Sequence, residues 1–169
     1  MPSKTPTHAV IAIQDPDTGA VLLTKRAATL RLHPSEYCLP GGRIEDGETT
    51  LDAALRELYE ETHVRACTLN IGIRQTQHAE KLPRIVTTYS SDTTFAVLYA
   101  QARDAASLIP AMVLNPDEVD SAKWFNPACC EIVADTTGLG VIRVVDKTDN
   151  TEVEGITAEV VAELFAIAA

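Results

Sequence analysis

The sequence predicts a single α+β domain, and three observations carry that expectation. The chain has 169 residues, a length that suits one domain with a sizeable core. Short apolar runs of strand length recur along it, divided by turn residues. Two segments carry apolar residues at helical spacing, and strands and helices do not alternate strictly. One domain is therefore expected over residues 1–169, with residues 1–7 as a flexible lead.

Ala9–Ile13 reads as a strand, Asp15-Pro16-Asp17-Thr18-Gly19 as a turn and Ala20–Thr24 as the returning strand. A loop with many turn residues follows from Arg26 to Gly47. The clearest helix spans about Thr49–Thr62: Thr49 followed by Asp52 fits an N-terminal capping pattern, and Leu51, Leu55 and Leu58 fall on one face. Thr68–Gln75, Arg84–Tyr89, Thr94–Gln101 and Ala122–Phe125 read as strands, and Pro127–Ala134 as a short helix. Val141–Val145 and Thr151–Val153 flank Asp146–Asn150 as a candidate hairpin. Thr157–Ala168 reads as a helix with Val160, Val161, Leu164 and Phe165 as its apolar stripe.

Composition excludes several classes. No apolar run approaches the roughly 18–20 residues of a membrane span, and the first residues lack the apolar core of a signal peptide. A formal net charge of −10 argues against a general nucleic-acid binder, which needs a basic face. It leaves room for a small anionic ligand, because a bound metal ion inverts the local field. Cys38, Cys67, Cys129 and Cys130 contain no C-x-x-C pair, so they read as reduced, mostly buried thiols of a cytoplasmic protein.

The chemistry is concentrated in Gly42–Val64, G-R-I-E-D-G-E-T-T-L-D-A-A-L-R-E-L-Y-E-E-T-H-V. Glu57, Glu60 and Glu61 stand at i, i+3 and i+4, so their carboxylates share one helix face over about 100° of arc. Taken alone, three glutamates on a helix make a solvated face. Crowded this way they repel one another, and a hard divalent cation that takes oxygen ligands relieves the repulsion. Such an ion neutralises phosphate charge and activates water. Arg56 is placed to pair with Glu48 or Glu57 and hold a carboxylate rotamer. Pro40-Gly41-Gly42 and Gly47 allow tight turns beside the helix start.

This segment resembles the Nudix box, G-x5-E-x7-R-E-U-x-E-E-x-G-U with U aliphatic, through Gly42, Glu48, Arg56, Glu57, Leu58, Glu60, Glu61 and Val64. At average residue usage, a chance match this good is on the order of one in 10⁵ or rarer. His63 stands where that family has a glycine that ends the helix, and a modest stability cost is expected there. The resemblance implies an α/β/α sandwich around a mixed sheet and hydrolysis of a nucleoside diphosphate linked to another moiety. It implies Mg2+ or Mn2+ held by Glu57, Glu60 and Glu61, with Glu48 and Arg56 supporting the geometry. The general base varies among relatives; Glu61, Glu60 or a later acid such as Glu118 are the options. Many relatives are dimers, so a homodimer is one expected assembly.

Upstream, Leu22, Leu23, Thr24, Arg26, Arg31, Pro40, Gly41 and Gly42 resemble the added signature of the coenzyme A pyrophosphatase branch, L-L-T-x-R-[ST]-x3-R-x3-G-x3-F-P-G-G. Ala27, Ser35 and Leu39 depart from it. Asn115-Pro116-Asp117-Glu118-Val119, then Trp124 and Pro127, look like a further segment of that branch. The expected substrate is coenzyme A or an acyl derivative, cleaved to 3′,5′-ADP and a 4′-phosphopantetheine product, with Arg26, Arg31, Gly41 and Gly42 as binding residues. ADP-ribose, a dinucleoside polyphosphate and a reduced nicotinamide dinucleotide are the alternatives, and a non-catalytic nucleotide-binding module is a third reading.

Overall fold

The computed structural model describes residues 5–72, 84–87, 93–134 and 142–168. At the centre of its larger sheet, β1 (His8–Gln14) runs parallel to β7 (Thr94–Ala102) from His8↔Phe95 to Gln14↔Gln101. Every other pairing among the described residues is antiparallel, so the sheet is mixed. β2 (Val21–Arg26) meets β1 through the Asp15–Ala20 turn and pairs along its length with β8 (Val119–Phe125). β3 (Tyr37–Cys38) joins β2, and β4 (Gly41–Arg43) joins the first half of β1. β5 (Leu69–Ile71) and β6 (Arg84–Thr87) lie on β7. A second, antiparallel sheet contains β9 (Cys130–Ala134), β10 (Ile142–Asp146) and β11 (Thr151–Val153).

Strand periodicity explains the layers. Successive residues of β1 point to opposite faces. Ala9, Ile11 and Ile13 pack with Ala53, Ala54 and Leu58 of helix α1 (Thr50–Thr62). Val10 and Ala12 pack with Val160, Val161, Leu164 and Phe165 of helix α3 (Gly155–Ala168). The sheet is therefore covered on both faces, which is why β1 is apolar throughout rather than alternating. The result is an α/β/α arrangement of α+β class.

Several local expectations hold. Thr49 Oγ1 accepts from the Asp52 N–H at 3.1 Å and donates to the Asp52 carboxylate at 2.6 Å, closing the cap of α1. Residues 142–146 and 151–153 form the expected hairpin. Trp124 is half-buried against the core on the α1 side. The expected lead of residues 1–7 falls partly outside the described residues, while Thr7 donates to Thr94 O and accepts from Ile44 N.

Other expectations need correction. The leucine stripe of α1 does not dock as a unit. Leu58 is fully buried, Leu55 is half-buried and Leu51 is 36% exposed. The docked face is Ala53, Ala54, Leu58, Glu61 and Thr62, because the sheet lies so close that small side chains fill the contact. Pro127–Ala134 is not a helix. Asn126 accepts from Ala128 N and Cys129 N to make a turn, and Cys130–Ala134 continues as β9 against β10. The β-branched pair Ile132–Val133 suits that strand. A short helix α2 (Ala105–Leu108), capped by Asp104, was not expected. The thiols are free, but Cys67 is exposed and Cys38, Cys129 and Cys130 are only partly covered, so they are not mostly buried.

His63 ends α1 in the left-handed conformation, φ 58° and ψ 16°, with its N–H on Tyr59 O. Its ring packs on Tyr59 at 5.0 Å, and Nδ1 lies 2.8 Å from Val113 O. These contacts offset the backbone strain of a non-glycine residue here. His63→Ala keeps the strain and loses the contacts, so it is expected to lower stability by about 1–2 kcal/mol. His63→Gly loses the contacts but also the strain, and stays within about 1 kcal/mol of the parent. Urea denaturation of the two variants checks the ordering.

Candidate active site

The site begins at the corner where the chain leaves β3 and enters β4. Gly41 pairs with Val10 and Gly42 with Ala9, which seats this corner on the central strand. α1 then crosses above it. A Cβ at Gly42 would fall 2.5 Å from the Glu57 Cδ and Oε1 atoms, so the glycine is what lets that carboxylate rest on the strand. The Gly41 N–H points at Glu61 Oε2, 3.4 Å away.

Arg56 organises the acids on the other side. Its Nε and Nη2 grip the two oxygens of Glu48 at 2.7 and 3.0 Å. Nη1 donates to Glu57 Oε1 and to Glu60 Oε2, each at 3.0 Å, and Nη2 also reaches Arg43 O at 2.9 Å. Glu48 takes a further bond from the Glu45 N–H at 2.9 Å. The forked guanidinium suits this multiple grip; a lysine has no equivalent geometry. Hydrogen bonding to Arg56 holds the Glu48 carboxyl down at about 2. Glu48 and Arg56 therefore form a fixed ionic brace, and it sets the rotamers of Glu57 and Glu60.

Glu61 is in a different environment. The residue is only 7% exposed. Burial, then the charges of Glu57 and Glu118, push its carboxyl up to about 8, while the Gly41 N–H and Arg26 partly oppose the rise. Glu57 is also raised, first by burial, with Arg56 opposing. The three glutamates of one sequence face thus occupy three environments: Glu61 buried, Glu57 half-buried and Glu60 exposed.

Tertiary contacts bring other residues to these carboxylates. The N–H groups of Val113 and Asn115 cap Thr62 O and Glu61 O at the end of α1. That anchors the turn carrying Glu118, whose charge acts on both Glu57 and Glu61. Thr24 and Cys38 are register partners, with Thr24 Oγ1 and Cys38 Sγ 3.9 Å apart. Burial and the Glu61 charge raise the Cys38 thiol to about 11, so it stays neutral beside the acids. Arg26 acts on both Glu61 and Cys38, and its Nε donates to Leu32 O at 3.2 Å. Arg31 is exposed and pairs with none of the described residues. Among the described residues, Cys38 and Val113 are neighbours that sequence spacing did not single out; a strand register against Thr24 is the signal that finds Cys38.

The donor set suits a hard divalent cation. It offers carboxylate oxygens that are desolvated and mutually repelling, and a bound cation would offset the burial and the repulsion that raise the proton affinity of Glu57 and Glu61. Among the described residues, no three His, Cys, Asp or Glu side chains already converge as a closed ligand cage; Glu57 and Glu60 are held by Arg56.

A model of the NUDIX domain matches residues 4–135. This chain belongs to the Nudix family. Among curated Nudix relatives, the peroxisomal coenzyme A diphosphatase ndx-8 of Caenorhabditis elegans is 50% identical over 106 residues, covering 62% of this chain and 40% of that protein. The human m7GpppN-mRNA hydrolase NUDT17 is 29% identical over 130 residues, covering 74% of this chain and 39% of that protein. The chain thus matches less than half the length of either relative. Solved structures of similar fold include DR0079 from Deinococcus radiodurans, with TM-score 0.58 and 17% identity over 97% of this chain and 87% of that one. The C. elegans Ap4A hydrolase binary complex aligns with TM-score 0.54 and 21% identity over 72% of this chain and 80% of that one. At these identities the structures establish the Nudix fold, and function must be argued from the site.

Proposed function

We propose that this protein is a metal-dependent hydrolase that cleaves the pyrophosphate bond of a nucleoside-diphosphate-linked substrate, with coenzyme A or an acyl derivative as the favoured class. The observation that carries the reading is the pair of crowded carboxylates, Glu57 and Glu61, seated over the Gly41–Gly42 corner. Few structural roles reward burying a carboxylate beside another one.

Glu57, Glu60 and Glu61, with Glu118 as a further donor, would hold Mg2+ or Mn2+. When bound, the ion supplies charge neutralisation of the diphosphate and activation of water. The chain's own groups do the rest. Arg56 keeps Glu57 and Glu60 oriented, and Glu48 keeps Arg56 in place. Glu61, once ionised, accepts a proton from the attacking water, and the Gly41 N–H sets the direction of its carboxylate. Arg26, tied to Leu32 O, and the exposed Arg31 contribute cations for the phosphate groups.

The substrate class rests on the signature around Arg26 and Arg31, and on the relative whose name gives coenzyme A diphosphatase activity. The mRNA-cap relative keeps a second reading in view, a Nudix hydrolase acting on another dinucleotide or polyphosphate. A binding module without catalysis accounts poorly for the retained Glu57, Glu60 and Glu61. The cytoplasmic expectation stands beside a relative named as peroxisomal. Among the described residues no helix is long and apolar enough to cross a membrane. A small-molecule partner and a homodimer complete the proposal.

The test is a panel of coenzyme A, an acyl-coenzyme A, ADP-ribose, diadenosine tetraphosphate and NADH incubated with protein and magnesium, with products identified by mass. Coenzyme A cleaved ahead of the others supports the reading; no turnover of any compound, with metal bound, supports the binding module. Arg31→Ala is expected to raise KM for coenzyme A by about tenfold, the value of one charge-assisted phosphate contact. It should raise KM for ADP-ribose less, since that compound lacks the 3′-phosphate. Equal changes would show that Arg31 does not read the 3′-phosphate.

A further inference from the structure

Asn115 is the hub of the turn that follows α2 and leads into β8. Its carbonyl oxygen accepts from the Glu118 N–H at 3.1 Å and from the Val119 N–H at 2.8 Å. Its side-chain Oδ1 accepts from the Asp117 N–H at 3.2 Å. One residue thus gathers three successive N–H groups, an Asx turn nested inside a wider backbone turn. Pro116, whose ring fixes φ, stiffens the first step of that turn.

The same residue reaches out of the turn. The Asn115 N–H donates to Glu61 O at 2.9 Å, and two residues earlier the Val113 N–H donates to Thr62 O at 3.1 Å. The last turn of α1, which carries Glu60 and Glu61, is therefore clamped to the turn that carries Glu118. Two hydrogen bonds, both made by the backbone of Asn115, link the main chain of Glu61 to that of Glu118. The far end of the turn is tied to β2: the Ala27 N–H donates to Glu118 O at 2.9 Å, and the buried Val119 pairs with Arg26. The main chain of Glu118 is thus held at both its N–H and its carbonyl, while the residue itself is exposed. Its charge acts on Glu57 and Glu61, in keeping with that short path.

We infer that Asn115 is a positioning residue, whose side chain locks the 115–119 turn so that the Glu118 carboxylate is held at a fixed offset from Glu61 as a metal donor. This rests on the metal site of the pyrophosphatase reading above and names the residue that sets its geometry across two separate elements. Without the Oδ1 acceptor the backbone bonds of the turn lose their brace, and Glu118 has to be ordered when the metal binds. Side chains that orient metal donors in this way typically contribute about 10–100-fold to affinity or turnover.

The experiment measures Mn2+ affinity of the full chain by calorimetry without substrate, KM and kcat for the best substrate of the panel above, and Tm of the metal-free protein. Asn115→Ala should weaken Mn2+ binding roughly tenfold and lower kcat by a similar factor, with KM little changed. The metal-free Tm should fall by no more than about 4 °C, the size of one exposed hydrogen bond. Asn115→Asp keeps the acceptor and should stay within about threefold of the parent in affinity and kcat. In a Glu118→Gln background, Asn115→Ala should cost less than about twofold more, because it acts through that carboxylate. Parental Mn2+ affinity in Asn115→Ala, an aspartate no better than the alanine, or losses from Asn115→Ala and Glu118→Gln that simply multiply would overturn the inference and leave the pyrophosphatase reading standing. A parent that binds Mn2+ but cleaves no diphosphate would remove that reading alone, since affinity still tests Asn115. A parent that does neither would remove both.

Discussion

Glu61→Gln is expected to cut kcat by about 10²–10⁴-fold, the range for loss of a positioned general base, while leaving a more stable protein. The two effects share one cause. The folded Glu61 carboxyl is raised from 4.5 to about 8, chiefly by burial and then by Glu57. In the metal-free protein, the stability linked to this proton is fully present below about pH 4.5, the unfolded value, and is lost as pH rises towards 8. Glutamine mimics the neutral form and removes that loss. At one pKa unit per 1.36 kcal/mol, several kcal/mol should separate the variant from the parent at pH 9, and little at pH 4. Magnesium should raise the parent's Tm most at alkaline pH and the variant's much less. Thermal unfolding with and without magnesium at pH 5, 7 and 9, beside steady-state turnover, measures all of this. Near-parental turnover in the variant would remove Glu61 from the chemistry; a Tm difference independent of pH would remove the burial argument.

Gly41→Ala is expected to cost at least about 3 kcal/mol, roughly 10 °C in Tm for a chain of this size. Its φ of +144° disfavours a side chain, and a Cβ there would stand 2.2 Å from Ala9 O and 2.6 Å from Val10 Cα. Those are backbone atoms of the central strand, which β4 and β7 hold from both sides, so neither can yield. The same displacement would pull the Gly41 N–H away from Glu61. Gly42→Ala provides the contrast. The nearest atoms its Cβ would meet are those of the Glu57 carboxylate, the end of a side chain that can swing aside at the expense of its bond to Arg56. That variant should keep most of its stability and lose activity instead. Calorimetry and turnover on the two alanine variants separate the roles; equal stability losses would show that the Gly42 contact is as unyielding as that of Gly41.

Much of the site is legible in the sequence because its spacing is local. Glu57, Glu60 and Glu61 follow one another at helical intervals, Thr49 caps through Asp52 three residues on, and His63 closes the helix where a left-handed residue is needed. Arg56 lies one turn from Glu60, so their pairing also follows from helix geometry. Expectations that depend on propensity alone are less secure. Pro127–Ala134 has helical composition at its start, but the turn at Asn126 and the partner strand β10 decide its conformation. The leucines of α1 suggest a docking face, yet the close approach of the helix to β1 places Ala53 and Ala54 beside Leu58 in that contact.

By itself, the order of residues determined the family and the acidic helix, and it narrowed the partner of Arg56 to Glu48 or Glu57, because each depends on neighbours within a few turns of chain. Only the tertiary structure decided that Glu61, rather than Glu60, is the buried acid, and that Glu118, Cys38 and Arg26 meet it there. The reason is physical: a carboxyl's proton affinity depends on its distance from water and from distant charges, and both are set by how the sheet, α1 and the 113–118 turn pack together.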